Sequence, residues 1–211
     1  MRARALLVVV IGAALVTGCT ATSSGEPAPE TPTETESSAS PSSVEQPDDL
    51  PSDGAPKVAN PLDASQFEQD PCRALTQAQA TELNIVHPGE PYEGSFGNAC
   101  EWQGPDRDGG RVAIDFLSDD RRGMSSVYRS SDRGEFAFFE PLDSVAGHPL
   151  AAFGIADSRE SEGYCAVAVG ITDELVVTVF LNLSRVNVRH KDPCEIGAQV
   201  AEMTLTTMGA S

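Results

Sequence analysis

The sequence predicts an α+β fold: an antiparallel β-sheet with a short N-terminal helix and a C-terminal helix packed on it, stapled by two disulfides. Three observations carry this. Residues 163–171 and 174–182 are two apolar, β-branched runs separated by Thr172-Asp173, which reads as a hairpin. Asp192-Pro193-Cys194-Glu195 has the capping acid, early proline and early glutamate of a helix start, and Ile196, Val200 and Met203 follow as an apolar stripe. The triplet Asp-Pro-Cys occurs at 70–72 and again at 192–194, with another cysteine 28 residues after the first and 29 before the second.

Two segments precede this domain. Arg2 and Arg4 lead into an apolar run over residues 5–16, which is shorter than the roughly 20 residues a membrane-spanning helix needs. Residues 1–18 therefore read as a secretory signal peptide. The run ends in Val16-Thr17-Gly18-Cys19, similar to a bacterial lipobox, in which small residues admit the peptidase and the thiol receives a diacylglycerol. On that reading Cys19 is the lipidated first residue of the mature chain, and the expected partner is the membrane, reached through S-diacylglycerol. Two acyl chains make such anchoring stable where one is marginal. The expected address is the outer face of the cytoplasmic membrane; the alternative is an ordinary cleaved signal with a coincidental cysteine.

Residues 19–60 read as the lipidated cysteine plus a disordered tether. From 20 to 60, 28 of 41 residues are Ser, Thr, Pro, Asp or Glu and none is aromatic, so this stretch cannot bury enough surface to offset chain entropy. All 12 aromatic residues follow Leu62, which places a single globular domain at 61–211. The net charge of −18, with no concentrated basic patch, argues against a nucleic-acid partner.

Within the domain, Thr76-Gln77-Ala78-Gln79 reads as a capping box opening a helix through Leu83. Residues 99–103 and 111–118 read as strands joined by the glycine-rich loop 104–110, and 123–130 as a short helix. Phe136 and Phe138 alternate in a further predicted strand, and 149–155 form another. For the hairpin, a two-residue turn sets Cys165, Val167 and Val169 opposite Phe180, Thr178 and Val176, with a one-residue slip as the alternative. Both faces are apolar, so the hairpin belongs in the middle of the sheet.

An even number of domain cysteines in an exported chain is expected to be paired, and four allow three connectivities. The spacing favours Cys72–Cys100 and Cys165–Cys194, each tying a helix start to a strand. A reactive first-turn thiol and tetrahedral zinc are the competing readings; there is no CxxC and no paired ligand spacing.

The lipobox, the acidic Ser/Thr/Pro tether, Asp70-Pro71-Cys72 with Leu75-Thr76, Cys100-Glu101-Trp102, Gly147-His148-Pro149, Tyr164-Cys165 and Asp192-Pro193-Cys194 together resemble actinobacterial lipoproteins carrying the domain of unknown function 3558. The resemblance implies an extracytoplasmic, lipid-anchored domain with paired cysteines. It brings no catalytic residues.

No catalytic, cofactor or metal motif stands out. Asp106 and Asp108 lie in a glycine-rich turn that lacks the later ligands of a calcium loop. His87, His148 and His190 are far apart in sequence. The residues singled out for binding are His148 and the phenylalanines Phe136, Phe138 and Phe139, as a groove for a lipid or peptide. Asp119-Asp120-Arg121-Arg122 reads as a solvated loop. The expected function is a non-enzymatic envelope lipoprotein whose domain binds an envelope protein, lipid or glycan. The alternative is a cell-envelope hydrolase, whose mark would be a concave cluster joining His148 or His190 to two carboxylates.

Overall fold

The computed structural model describes residues 49–106 and 108–210. The expected signal peptide, Cys19 and the expected tether as far as residue 48 lie outside the described residues. What is described forms one seven-stranded antiparallel sheet in the order β1-β2-β3-β7-β6-β5-β4. Its strands are β1 (Glu90–Gly94), β2 (Gly97–Gln103), β3 (Arg111–Phe116), β4 (Phe138–Val145), β5 (His148–Gly154), β6 (Tyr164–Gly170) and β7 (Val176–Asn182). The β6–β7 hairpin lies at the centre, as its two apolar faces require. The edge strands β1 and β4 carry Pro91 and Pro141, residues that cannot donate to a ladder and so belong at edges.

One face of the sheet is covered by α5 (Pro193–Met208) together with α1 (Ser65–Gln69), a 3₁₀ turn at Pro71–Ala74 and α2 (Gln77–Glu82). The Asp192 carboxylate accepts from the backbone N–H of Cys194 at 2.8 Å and of Glu195 at 3.4 Å, and Gly209 ends the helix in the left-handed region, φ 102°. Thr76 and Gln79 form the expected capping box, and the Gln79 side chain also donates to the Met203 carbonyl of α5 at 2.9 Å. The bridges are Cys72–Cys100 and Cys165–Cys194. They fasten the 3₁₀ turn to β2 and α5 to β6.

Among the described residues, the other face carries α3 (Met124–Asp132), nine residues long, and part of the segment before α1, with Ala55 packed in the same cluster. A short α4 (Arg159–Glu162) precedes β6.

Four expectations need correction. The hairpin loop has three residues, Thr172-Asp173-Glu174: Ile171 N–H donates to the Leu175 carbonyl, and the Thr172 hydroxyl accepts from the N–H of Glu174 and Leu175. That shifts the register by one, so Cys165, Val167 and Val169 face Leu181, Val179 and Val177, while Ala166 and Ala168 face Phe180 and Thr178. Secondly, the folded part starts before Pro61. Val58 is 2 % exposed, its N–H donates to Asp173 at 2.9 Å, Ser52 N–H donates to the Ser125 hydroxyl at 2.8 Å, and Asp53 pairs with Arg129 at 2.8 Å. A handful of directed polar contacts and one buried valine hold residues that composition assigns to the tether. Thirdly, Phe136 precedes β4 rather than lying in it, and β4 runs on to Val145 through a bulge. Finally, β1 and α1 have no counterpart in the sequence reading, because an exposed edge strand such as Glu-Pro-Tyr-Glu-Gly shows no alternation.

Candidate functional site

The face that α3 leaves open is built from cross-strand rows. One runs Ala99, Asp115, Thr178, Ala168, Ala151; the next runs Glu101, Ala113, Phe180, Ala166, Phe153, Phe139. Alanines between large side chains make hollows, and α3 stands along one side of them. The result is a cleft of about 500 Å³ floored by Phe136, Phe153, Phe180 and Leu117 and walled by Val127 of α3. Across from α3 the β1–β2 hairpin turns through Ser95-Phe96, and Phe96 is 56 % exposed at the cleft edge. Four of the eight phenylalanines of the chain line this one cleft.

Gly97 permits that turn. A Cβ there would lie 2.0 Å from the Phe116 carbonyl oxygen, and Gly94 packs against Asp115 in the same way, at 2.8 Å from Oδ2. The aromatic wall is continuous behind the floor: Phe136 contacts Phe153 at 4.6 Å between centroids, and Phe139 meets Tyr128 edge-on at 4.9 Å.

The polar groups of the cleft divide by side. Arg122, Arg129 and Arg133 line it on the α3 side, with Glu135 and Asp120 nearby; Asp115 lies on the floor. Arg129 is engaged by Asp53, and its guanidinium holds the Asp53 carboxyl below the usual carboxylate range. Asp115 is half-buried and accepts from the Tyr92 hydroxyl at 2.5 Å. Burial pushes its carboxyl above the usual range, against the opposing effects of Tyr92 and of Arg111.

This pair yields a pH prediction. The folded carboxyl holds its proton more tightly than the unfolded one, so stability declines as pH rises from about 3.9 through the folded value. Tyr92→Phe removes a hydrogen bond that favours the ionised form. Its Asp115 carboxyl should titrate higher than in the wild type, followed by carbon NMR, and the decline in stability should extend to correspondingly higher pH. An unchanged or lower titration would show that the hydroxyl does not donate to the carboxylate.

The residues singled out from the sequence separate in space. Phe136 lines the cleft and Phe139 backs it. Phe138 points to the opposite face, where the Arg159 guanidinium stacks 3.9 Å from its ring centroid. His148 is 0 % exposed, alternates with Leu150 and Ala152 on the α5 side, and donates from Nδ1 to the Gly170 carbonyl at 2.7 Å. It is a core residue and is not available to a ligand. The binding groove expected from His148 and the three phenylalanines is thus corrected to a cleft that keeps two of the four and adds Phe153, Phe180 and Phe96. Their joint signal, two strands and a Gly-x-x-Gly turn, becomes readable only once the register is known. The i, i+4 spacing of Arg129 and Arg133 could have been noticed.

Another concavity carries the grouping that the hydrolase alternative calls for, a histidine with carboxylates. A depression of about 980 Å³ brings His190 near Asp157, Glu160 and Asp192. Asp157 is already taken by Arg159 at 2.8 Å, and Asp192 caps α5. Among the described residues no group of three or more His, Cys, Asp or Glu side chains could hold a metal, and no helix is long and apolar enough to cross a membrane.

A family model described as "Protein of unknown function (DUF3558)" matches residues 14–207. No curated protein and no solved structure matches the chain.

Proposed function

The chain belongs to the DUF3558 family of proteins of unknown function, and from that premise we propose that it is a lipid-anchored, extracytoplasmic binding protein whose ligand site is the aromatic cleft beside α3. The observation that carries the binding reading is the convergence of Phe96, Phe136, Phe153 and Phe180, none of them buried, on one concavity of about 500 Å³. That volume lies in the range of small-molecule sites, about 300–1,000 Å³. Apolar surface left open in a domain with an otherwise closed core marks a place where something binds. The anchoring reading rests on the lipobox-like Val16-Thr17-Gly18-Cys19 and the charged, short apolar run before it.

Both halves are testable. Cys19→Ala removes the thiol that would carry the diacylglycerol. The wild-type chain should sediment with membranes and take up labelled palmitate, whereas the variant should lose the label and leave the membrane fraction. Labelling that survives the substitution would remove the anchor from this position. For the cleft, envelope lipids, glycans and peptides are screened by thermal shift on the wild type and on Phe180→Asp. Saturable stabilisation of the wild type alone supports the site; turnover of the stabilising compound would recast it as an enzyme.

A further inference from the structure

Deepening the proposed function and resting on its identification of the cleft, we propose that the occupant is a single-chain anionic amphiphile, with its acyl body on Phe136, Phe153 and Phe180 and its charged head at Arg122 and Arg133. At about 30 Å³ per heavy atom, the share of a water in the liquid, 500 Å³ holds on the order of 16 heavy atoms. That is one acyl chain and not two.

The floor then selects among chemistries. Phenylalanine rings offer no hydrogen bond, so the floor favours a ligand body of CH groups over one that turns hydroxyls toward the rings. A peptide strand needs unpaired backbone groups. The cleft lies over β3 and β7, strands already paired on both sides, and both sheet edges carry prolines. An acyl chain asks for neither.

The head group follows from the charges. Residues 61–211 contain 11 basic against 24 acidic side chains, yet three of the 11 line this cleft. Arg129 is held by Asp53. Arg133 has only Glu135, at 3.9 Å with both side chains at least half exposed, a surface pair worth little, and Arg122 has no ion pair among the described residues. A carboxylate or phosphate on the α3 side would accept charge-assisted hydrogen bonds from these guanidinium groups. Asp115 on the floor and Asp120 at the rim bear the same sign as that head. Their repulsion directs it to the α3 side and the chain end toward the phenylalanines.

The test uses the full-length chain in phosphatidylcholine vesicles with two photoreactive probes of equal length, a diazirine-bearing palmitate and its neutral alcohol, mapped by peptide mass spectrometry. Palmitate should label the segments carrying Phe136, Phe153 and Phe180, and excess unlabelled palmitate should compete it away. Arg122→Glu with Arg133→Glu should lower palmitate labelling tenfold or more and leave the alcohol unaffected, in a protein whose melting temperature shows it is folded. Arg122→Gln with Arg133→Gln, which adds no repulsion, should lower it several-fold. Competition by lysophosphatidylglycerol in preference to palmitate would assign the head as a phosphate, and the reverse preference as a carboxylate. Cleft labelling by the alcohol but not the acid, or acid labelling indifferent to both double variants, overturns the head-group assignment while the cleft remains a binding site. Labelling by neither probe, while a glycan or peptide stabilises the wild type but not Phe180→Asp, overturns the amphiphile alone. If no compound of any class binds, the site itself falls.

Discussion

Replacing Cys165 and Cys194 together by alanine is expected to lower the unfolding free energy by about 3.5 kcal/mol, and removing Cys72 and Cys100 as well should double that loss. The two loops, 28 and 29 residues long, follow one another in sequence without overlap. Each bridge therefore restrains a separate part of the unfolded chain, and their effects add. A loss of about 7 kcal/mol is comparable with the whole stability of an ordinary domain, about 5–15 kcal/mol. The four-alanine variant should be largely unfolded in conditions where the wild type is native. Cys165 is 0 % exposed and lies under α5, so losing its bridge also frees the helix that covers one face of the sheet. Urea denaturation followed by circular dichroism measures both steps. If the double bridge removal shifts stability by less than about 1 kcal/mol, the cross-links do not restrain the unfolded state as the spacing implies.

Trp102→Ala is the second large effect, an expected loss of about 3–5 kcal/mol. Trp102 is 0 % exposed on β2 and is held between Gly89 and the core. A Cβ on Gly89 would lie 2.7 Å from the indole Nε1 and 2.6 Å from the Cys100 sulfur, so the ring has no room to relax. The same indole presents a second, opposing quantity: its buried N–H has no hydrogen-bond partner among the described residues. Such a group carries a desolvation cost of about 1–3 kcal/mol. Trp102→Phe removes that donor while keeping most of the apolar area, so its net cost should fall below about 1.5 kcal/mol. Equal losses for the two variants would mean that the N–H is satisfied and that shape alone governs the site.

How much could be read in advance differs by element. The helix starts were legible because their chemistry is local: Asp192 caps α5, and Thr76 with Gln79 caps α2, from side chains within three residues of the amides they serve. The bridges were legible because two similar spacings repeat a single local arrangement. β1 was not, since a strand with solvent on both sides has no pattern to impose. The cleft was half legible. Adjacent Phe138 and Phe139 had to part to opposite faces of a strand, but which face lacked a helix was not written in them. His148, among loop-forming neighbours in sequence, is buried because the strand after the β4–β5 turn begins at that residue and brings its ring under the Gly170 carbonyl.

The sequence by itself determined the chemistry of the helix ends and the central place of the β6–β7 hairpin, and its spacing favoured the cysteine pairing that the structure shows. Each depends on residues close in the chain or on composition that only one environment suits. Tertiary structure decided the register of that hairpin, and the register decided the cleft. A two-residue turn would have put Phe180 and Thr178 on the face of Cys165, Val167 and Val169. The three-residue loop closed by Thr172 puts them on the opposite face, beside Asp115, Phe153 and the arginines in and around α3. Side chains alternate with a period of two, so one residue of slip exchanges a whole face. With both faces apolar, hydrophobicity could not choose between the registers; the loop and the helix packed on each side did.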